Sequence, residues 1–167
     1  KQIAVKQSQK PQATSLDVPA DTDKAAWMAL LACLSPGSKL EINNLAKTQL
    51  NSRFMQILMA NGASVDVQGG QGAHFGLDMV SVSKQDVNIG FAAFTGFTIP
   101  ESDILSVCNE LLLLCVAAVY AKGSSRIEGI QRLPYHWEDR ITTFVDALTI
   151  IGVPCRLQAG VLEIEGC

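Results

Sequence analysis

The chain has 167 residues, a length that suits one ordinary domain or two small lobes. Its hydrophobic fraction of 48%, against only 17% charged residues, excludes a disordered chain, which could not bury enough apolar surface to fold. The net charge of −3, with scattered lysines and arginines, gives no electrostatic footprint for nucleic acid or an anionic membrane, and we expect neither partner.

The longest strongly apolar stretch covers residues 111–121, far fewer than the roughly 20 residues that cross a bilayer. No basic leader followed by an apolar segment opens the chain, so we expect a cytoplasmic protein. The first residue is Lys1 rather than a methionine, and we therefore expect the native amino terminus to lie upstream.

The five cysteines are odd in number and include no CxxC pair. Three of them, Cys33, Cys108 and Cys115, lie in or beside apolar stretches, where a free thiol behaves as a small hydrophobic group. This pattern favours buried thiols over a disulfide framework or a metal site, and we expect no metal or other cofactor.

The first half of the chain is predicted to form a helix, a strand, a second helix and a two-stranded hairpin, over residues 25–34, 39–45, 54–60, 65–67 and 77–82. The first helix is nearly continuous in apolar residues, which predicts that it is mostly buried, and Gly37 follows its end. Gly62 closes the second helix. We expect His74 in a glycine-rich hairpin loop, since its glycines are spaced wrongly for a nucleotide-binding loop.

The second half is predicted to contain a helix, a strand, an amphipathic helix and two more strands, over residues 111–119, 127–130, 141–151, 155–157 and 161–164. The first of these helices is apolar on every side, so it must lie inside its domain. The second carries an apolar stripe at spacings of three and four residues. Buried helices covered by outward-facing strands are the layering that this pattern predicts.

The two halves follow the same order of elements. The turn glycines Gly37 and Gly123 lie 86 positions apart, and the helix-ending glycines Gly62 and Gly152 lie 90 apart. We therefore predict an α/β (α+β) protein with an arm or entering strand at 1–14, a first repeated unit at 15–98 and a second at 99–167.

Several stretches resemble one lobe of 5-enolpyruvylshikimate-3-phosphate synthase, the carboxyvinyl transferase of the shikimate pathway. They are LDVPADTDKAAWMALLACLSPGSKLEI, FMQILMANGASVDV, TIPESDI and ELLLLCVAAVYAKGSSRIEGIQRLPYHWEDRITTFVDALTIIGVPCRLQAGVLEIEG. The resemblance implies repeated βαβαββ units, three to a lobe and two lobes to an enzyme, of which this chain supplies two units. It also implies transfer of the enolpyruvyl group of phosphoenolpyruvate to shikimate 3-phosphate, with release of phosphate.

The family's buried helix opens with an Asp-Glu pair whose Asp is a proposed base, and the matching residues here are Asn109 and Glu110. An asparagine can hydrogen-bond a hydroxyl group but cannot accept its proton at neutral pH. The resemblance makes both residues candidates for the catalytic site. The alternative is a plain helix start, with Asn109 as the cap and Glu110 favoured by the helix dipole.

The family's Lys-x-Lys-Glu-Ser/Thr-Asp-Arg motif matches residues 134–140. His136 and Trp137 replace the second Lys and the Glu of this motif, whereas Asp139 and Arg140 are retained. The resemblance therefore makes His136 a catalytic candidate, and it makes Asp139 and Arg140 substrate-binding candidates. His136 beside Glu138 is a possible rearranged acid-base pair. The alternatives are a packed aromatic loop, and an Arg140 that merely pairs with a neighbouring carboxylate.

The resemblance adds two positively charged residues of the first unit, Lys24 and Arg53, as substrate-binding candidates. Lys24 follows the family's Val-Pro-Gly-Asp signature, which appears here as residues 18–21 with an Ala in place of the Gly. Arg53 follows residues 48–51, which replace the family's Asn-Pro-x-Arg turn. For Lys24, a solvated surface position is the alternative.

Two functions follow as hypotheses. In the first, this chain is part of a carboxyvinyl transferase. The isolated chain is then inactive, and the protein binds shikimate 3-phosphate and phosphoenolpyruvate once a second lobe is present. The second is a divergent relative that uses the fold to bind a ligand or a protein. In either case, a missing unit would expose apolar surface and favour self-association or a partner.

Overall fold

The structure is a computed structural model that describes residues 13, 15, 20–46, 52–74, 81–90 and 93–166. The first half contains α1 (Thr22–Leu34), β1 (Lys39–Ala46), α2 (Arg53–Ala60), β2 (Val65–His74) and β3 (Ser81–Gly90). The second half contains β4 (Thr98–Ile99), α3 (Leu111–Val119), β5 (Gly123–Ile127), a 3₁₀ turn (Ile130–Arg132), α4 (His136–Ile150), β6 (Cys155–Gln158) and β7 (Val161–Gly166).

The strands form two sheets. The first has the order β1-β3-β2 and is antiparallel, and the second has the order β4-β5-β7-β6. β4 pairs with β5 in parallel, with α3 as the connection between them, whereas β7 is antiparallel to both of its neighbours. In each half the last strand lies between the two that precede it. This arrangement confirms the predicted mixed α/β fold.

Helix α3 lies in the core, as its uniform apolarity predicts. Leu111, Leu114 and Cys115 are fully buried, and α3 packs against α1 and β7. Burial raises the pKa of the Cys115 thiol to about 12, which keeps this thiol protonated and unreactive. The buried-thiol interpretation holds for Cys33 as well, whereas Cys108 is only half-buried.

Helix α1 is buried on one face only, so the prediction of a mostly buried helix is correct for that face alone. Ala29 and Leu30 pack into the core, whereas Trp27, Met28 and Leu31 keep 63%, 49% and 58% of their surface exposed. These three residues, at helical spacings of three and four, are termed the α1 face below. The helix is apolar on both sides, and the described residues cover only one of them.

The two helix-ending glycines that sequence analysis identified close their helices in the same way. Gly62 and Gly152 have φ of 96° and 82°, a conformation that residues with a side chain adopt only under strain. In each case the next residue donates its N–H to the carbonyl five residues back, Ala63 to Leu58 at 3.0 Å and Val153 to Leu148 at 2.9 Å. This is the Schellman arrangement, and it makes α2 and α4 equivalent at their carboxyl ends.

Several boundaries differ from those predicted. β2 runs through the glycine-rich segment as far as His74, which pairs with Ser81, so His74 ends a strand rather than lying in the loop. The predicted strand at 77–82 overlaps β3 only at its last two residues, and its other positions lie outside the described residues. Ile130 belongs to a 3₁₀ turn, and Ile151 is 71% exposed rather than part of the apolar stripe.

Most of the predicted arm at 1–14 lies outside the described residues. None of the helices within the described ranges has the length and apolarity needed to cross a membrane. The same ranges contain no group of three or more His, Cys, Asp or Glu side chains placed to hold a metal ion.

Candidate functional site

The amino-terminal ends of three helices meet at one small cavity. Ala25 and Ala26 come from the start of α1, Ser52 caps α2, and Glu110 immediately precedes α3. The cavity has a volume of about 40 Å³, which accommodates a few water molecules but not a sugar phosphate. Most of its lining is aliphatic, and the side chains of Asp21 and Ser52 already accept N–H groups at the starts of α1 and α2, so the cavity itself is not an anion site.

Glu110 is the ionisable residue that lines this cavity. Burial raises the pKa of its carboxyl group above the ordinary value, and the negative charge of Asp23 on α1 raises it further. Glu110 occupies the capping position of α3 without a side-chain capping hydrogen bond, and Asn109 before it is exposed. The interpretation of Asn109 as the helix cap is therefore wrong, because α3 begins at Leu111 and Glu110 occupies the capping position.

Replacing Glu110 with Gln is expected to stabilise the protein at neutral pH and to have little effect in acid. The folded state holds the proton more tightly than the unfolded chain does, so the contribution of Glu110 to stability is fully present below its unfolded pKa near 4.5 and is lost as pH rises through the raised folded pKa. Urea unfolding of wild type and Glu110→Gln at several pH values measures the difference. Glu165→Gln, at an exposed position on β7, is the control, and an advantage of Glu110→Gln that does not grow with pH would contradict the expectation.

Arg140 lies over the ring of Trp137. Its Cζ atom is 5.2 Å from the ring centroid, a cation–π distance, and Trp137 itself is only 4% exposed. The positive charge of Arg140 also reaches Cys108, where it lowers the thiol pKa against the larger raising effects of burial and of Glu110.

Within the described part of the chain Arg140 has no ion pair, so the alternative that it merely pairs with Glu138 or Asp139 is not supported. Its guanidinium group is exposed above a rigid aromatic surface. A planar guanidinium held in this way can bind a carboxylate or a phosphate through two parallel hydrogen bonds. Arg140 is therefore the best-placed of the predicted cations for an anionic ligand.

His136 and Asp139 are exposed residues in the first turns of α4. The packed-loop interpretation is wrong for His136, because the helix begins at this residue and only Trp137 is buried. The His136 ring lies 6.2 Å from the Trp137 ring at a 40° tilt, and no hydrogen bond joins His136 to Glu138 among the residues described. The structure brings His136 near Arg140 through their shared neighbour Trp137, but it does not show a paired acid and base.

Lys24 and Arg53 are both held by carboxylates of the chain itself. Lys24 Nζ lies 2.6 Å from Oδ2 of Asp21, the residue that caps α1, and it remains 82% exposed. Hydrogen bonds from Lys24 lower the pKa of the Asp21 carboxyl group. Arg53 forms an ion pair at 2.7 Å with Asp103, in the loop before α3. Each cation is paired with a carboxylate of the chain in this arrangement.

The structure therefore places Glu110 where three helix starts meet, with Asn109 next to it in the chain, and holds Arg140 on Trp137 in α4. Lys24 lies at the start of α1, the end that lines the cavity, but it pairs with Asp21, and Arg53 contacts the loop before α3 through Asp103. Sequence reasoning missed the roles of Asp103 as an ion-pair partner and of Trp137 as a support for Arg140. A pair separated by 50 residues leaves no periodic signal in the sequence.

The chain is similar over its whole length to one known protein family. The family model described as EPSP synthase (3-phosphoshikimate 1-carboxyvinyltransferase) matches residues 1–167. The chain belongs to the EPSP synthase family. Among curated members, 3-phosphoshikimate 1-carboxyvinyltransferase of Leuconostoc citreum is 30% identical over 164 residues, and that of Methylococcus capsulatus is 27% identical over 164. Each match covers 98% of this chain but only 36% of the relative, so the chain spans about a third of the relatives' length.

Two solved structures show the same fold. EPSP synthase from Acinetobacter baumannii matches with a TM-score of 0.74 and 25% identity, covering 89% of this chain and 32% of that one. The enolpyruvyl transferase NikO from Streptomyces tendae matches with a TM-score of 0.56 and 15% identity, covering 89% and 31%, which supports the fold alone. The predicted resemblance and the enolpyruvyl transferase fold are thereby confirmed.

Proposed function

We propose that this chain is part of a 3-phosphoshikimate 1-carboxyvinyltransferase, which transfers the enolpyruvyl group of phosphoenolpyruvate to shikimate 3-phosphate and releases phosphate. The observation that carries the proposal is the family match over residues 1–167. The exposed guanidinium of Arg140 supports it, because both substrates are multiply anionic. A cytoplasmic location and the unit boundaries at 15–98 and 99–167 remain predictions.

In this proposal Arg140 binds a carboxylate or phosphate group of the substrates, and the ring of Trp137 orients the guanidinium group of Arg140. Asn109 donates or accepts a hydrogen bond at a substrate hydroxyl group, since an amide cannot take up the proton. Glu110 lies next to it, and it is the carboxyl group that we propose to exchange a proton with the substrate; burial raises its pKa above the ordinary value. His136 and Asp139 contribute polar contacts at the start of α4.

The remaining parts of the site are expected to come from the rest of the protein. The chain spans only 36% of its curated relatives, and Lys24 and Arg53 are already paired, so one guanidinium cannot neutralise two multiply charged substrates. We propose that further cations come from a second lobe. The α1 face supports the same view, because an apolar helix surface of this kind is normally covered by a neighbouring element or by a second copy.

The test is an amide NMR titration of this chain, followed by an assay of the full-length protein. We expect no transfer by the isolated chain, and saturable shifts at Asn109, Glu110 and Arg140 with phosphoenolpyruvate or shikimate 3-phosphate at millimolar concentration. The full-length protein should release phosphate only when both substrates are present. A full-length protein that binds both substrates but never releases phosphate would instead support the non-catalytic alternative, and one that binds neither would refute the proposal.

A further inference from the structure

An ion pair connects α2 to the loop that carries Asn109 and Glu110. Oδ2 of Asp103 accepts a hydrogen bond from Arg53 Nε at 2.7 Å and lies 2.7 Å from Nη2 of the same guanidinium. The third nitrogen, Nη1, donates to Oε1 of Gln56 at 3.2 Å. All three guanidinium nitrogens therefore have partners inside the protein, and Asp103 occupies the Nε–Nη2 edge, one of the edges through which an arginine binds a carboxylate or phosphate with two hydrogen bonds.

Arg53 is a fixed anchor for this pair. It is the first residue of α2, directly after Ser52, whose hydroxyl oxygen accepts a hydrogen bond from the N–H of Met55 at 3.3 Å and so caps the helix. The next two residues, Phe54 and Met55, are 2% and 5% exposed. Because the start of α2 is capped and buried, the backbone of Arg53 has little freedom to move.

Asp103 in turn organises the loop at residues 100–110. Its carbonyl oxygen accepts hydrogen bonds from Ser106 N at 2.9 Å, Ser106 Oγ at 2.6 Å and Val107 N at 3.3 Å. Ile104 and Val107 are fully buried, and the carbonyl of Val107 accepts the N–H of Glu110 at 3.1 Å. A displacement of Asp103 would therefore be passed along this chain of hydrogen bonds to Glu110.

We propose that Arg53 is a positioning residue rather than a substrate ligand, and that it holds Asp103 so that the loop presents Asn109 and Glu110 to the substrate. This inference rests on the proposed function of the site and revises the prediction that Arg53 binds an anion directly. The two roles have opposite consequences when Asp103 is neutralised. A direct ligand would be released and would bind more tightly, whereas a positioning residue would lose its hold on the loop.

The first test compares Asp103→Asn and Arg53→Gln in the full-length protein by calorimetric titration with shikimate 3-phosphate and with phosphoenolpyruvate. We expect both variants to weaken shikimate 3-phosphate binding about tenfold, because small displacements of substrate-contacting groups have large effects. The exchanged pair Arg53→Asp with Asp103→Arg should recover most of this loss. Tighter binding by Asp103→Asn, with weaker binding by Arg53→Gln, would overturn the proposal.

The second test needs no ligand and separates this inference from the proposed function. Amide hydrogen exchange at Ser106, Val107 and Glu110 should be faster in Asp103→Asn and in Arg53→Gln than in wild type. Arg126→Gln, which removes a comparable surface arginine from β5, is the control and should leave these amides unchanged. Unchanged exchange in both test variants would refute the positioning role. If wild type bound neither substrate, the proposed function would fail, while exchange would still decide how the loop is held.

Discussion

Replacing Arg140 with Gln in the full-length protein is expected to weaken phosphoenolpyruvate binding about tenfold to a hundredfold. Hydrogen bonds to charged groups contribute roughly 1.5–3 kcal/mol, and each 1.4 kcal/mol is a factor of about ten in affinity. Arg140 is the predicted cation that has no ion pair among the described residues, so its whole charge is available to the ligand. Calorimetric titration of wild type and variant measures the effect.

Two further variants make this test specific. Arg140→Lys keeps the positive charge but lacks the planar guanidinium group that donates two parallel hydrogen bonds. This variant should therefore bind more tightly than Arg140→Gln but more weakly than wild type. Arg156→Gln removes an exposed arginine on β6, far along the chain from the helix starts, and should bind as wild type does. Equal losses in Arg140→Gln and Arg156→Gln would mean that general electrostatic attraction, and not a defined site, holds the ligand.

Replacing Trp137 with Ala is expected to destabilise the protein by about 3–5 kcal/mol, the usual effect of emptying a buried aromatic position. Trp137 is 4% exposed, and it packs in the core together with Ile141, one turn further along α4. The same substitution removes the surface on which Arg140 rests, so it should also weaken anion binding. Urea unfolding gives the first quantity and titration of the folded fraction the second.

Tyr135 provides the matched control for Trp137. It precedes α4, lies two residues away in the chain and is 87% exposed, so Tyr135→Ala should change the free energy of unfolding by no more than about 0.5 kcal/mol. Trp137→Phe keeps a ring beneath Arg140 and should retain most of the binding. A Trp137→Ala protein as stable as Tyr135→Ala would show that the packing of Trp137 contributes little.

Much of the fold could be predicted from local pattern. The uniform apolarity of residues 111–119 predicted a buried helix, and α3 is one, because a helix without a polar side has no face to present to water. The glycines at 62 and 152 predicted helix ends, since their positive φ values are unfavourable for other residues. The glycine-rich segment before His74 was misread because strand pairing with β3 overrides the local preference of glycine for turns.

For the candidate site, too, some features follow from the sequence and others only from the tertiary structure. By itself, the sequence determined the family and the order of the helices and strands except for the short strand β4, because these depend on patterns along the chain. It also showed which residues stand at the family's motif positions 109, 110, 136, 139 and 140. Arg140 and Trp137 lie three residues apart on α4, a helical spacing that the sequence already contains. Only the tertiary structure decided that Asp103 holds Arg53 and that one side of α1 stays exposed. Such contacts join residues from different elements, and their partners are selected by packing in three dimensions, which leaves no period in the sequence for a reader to detect.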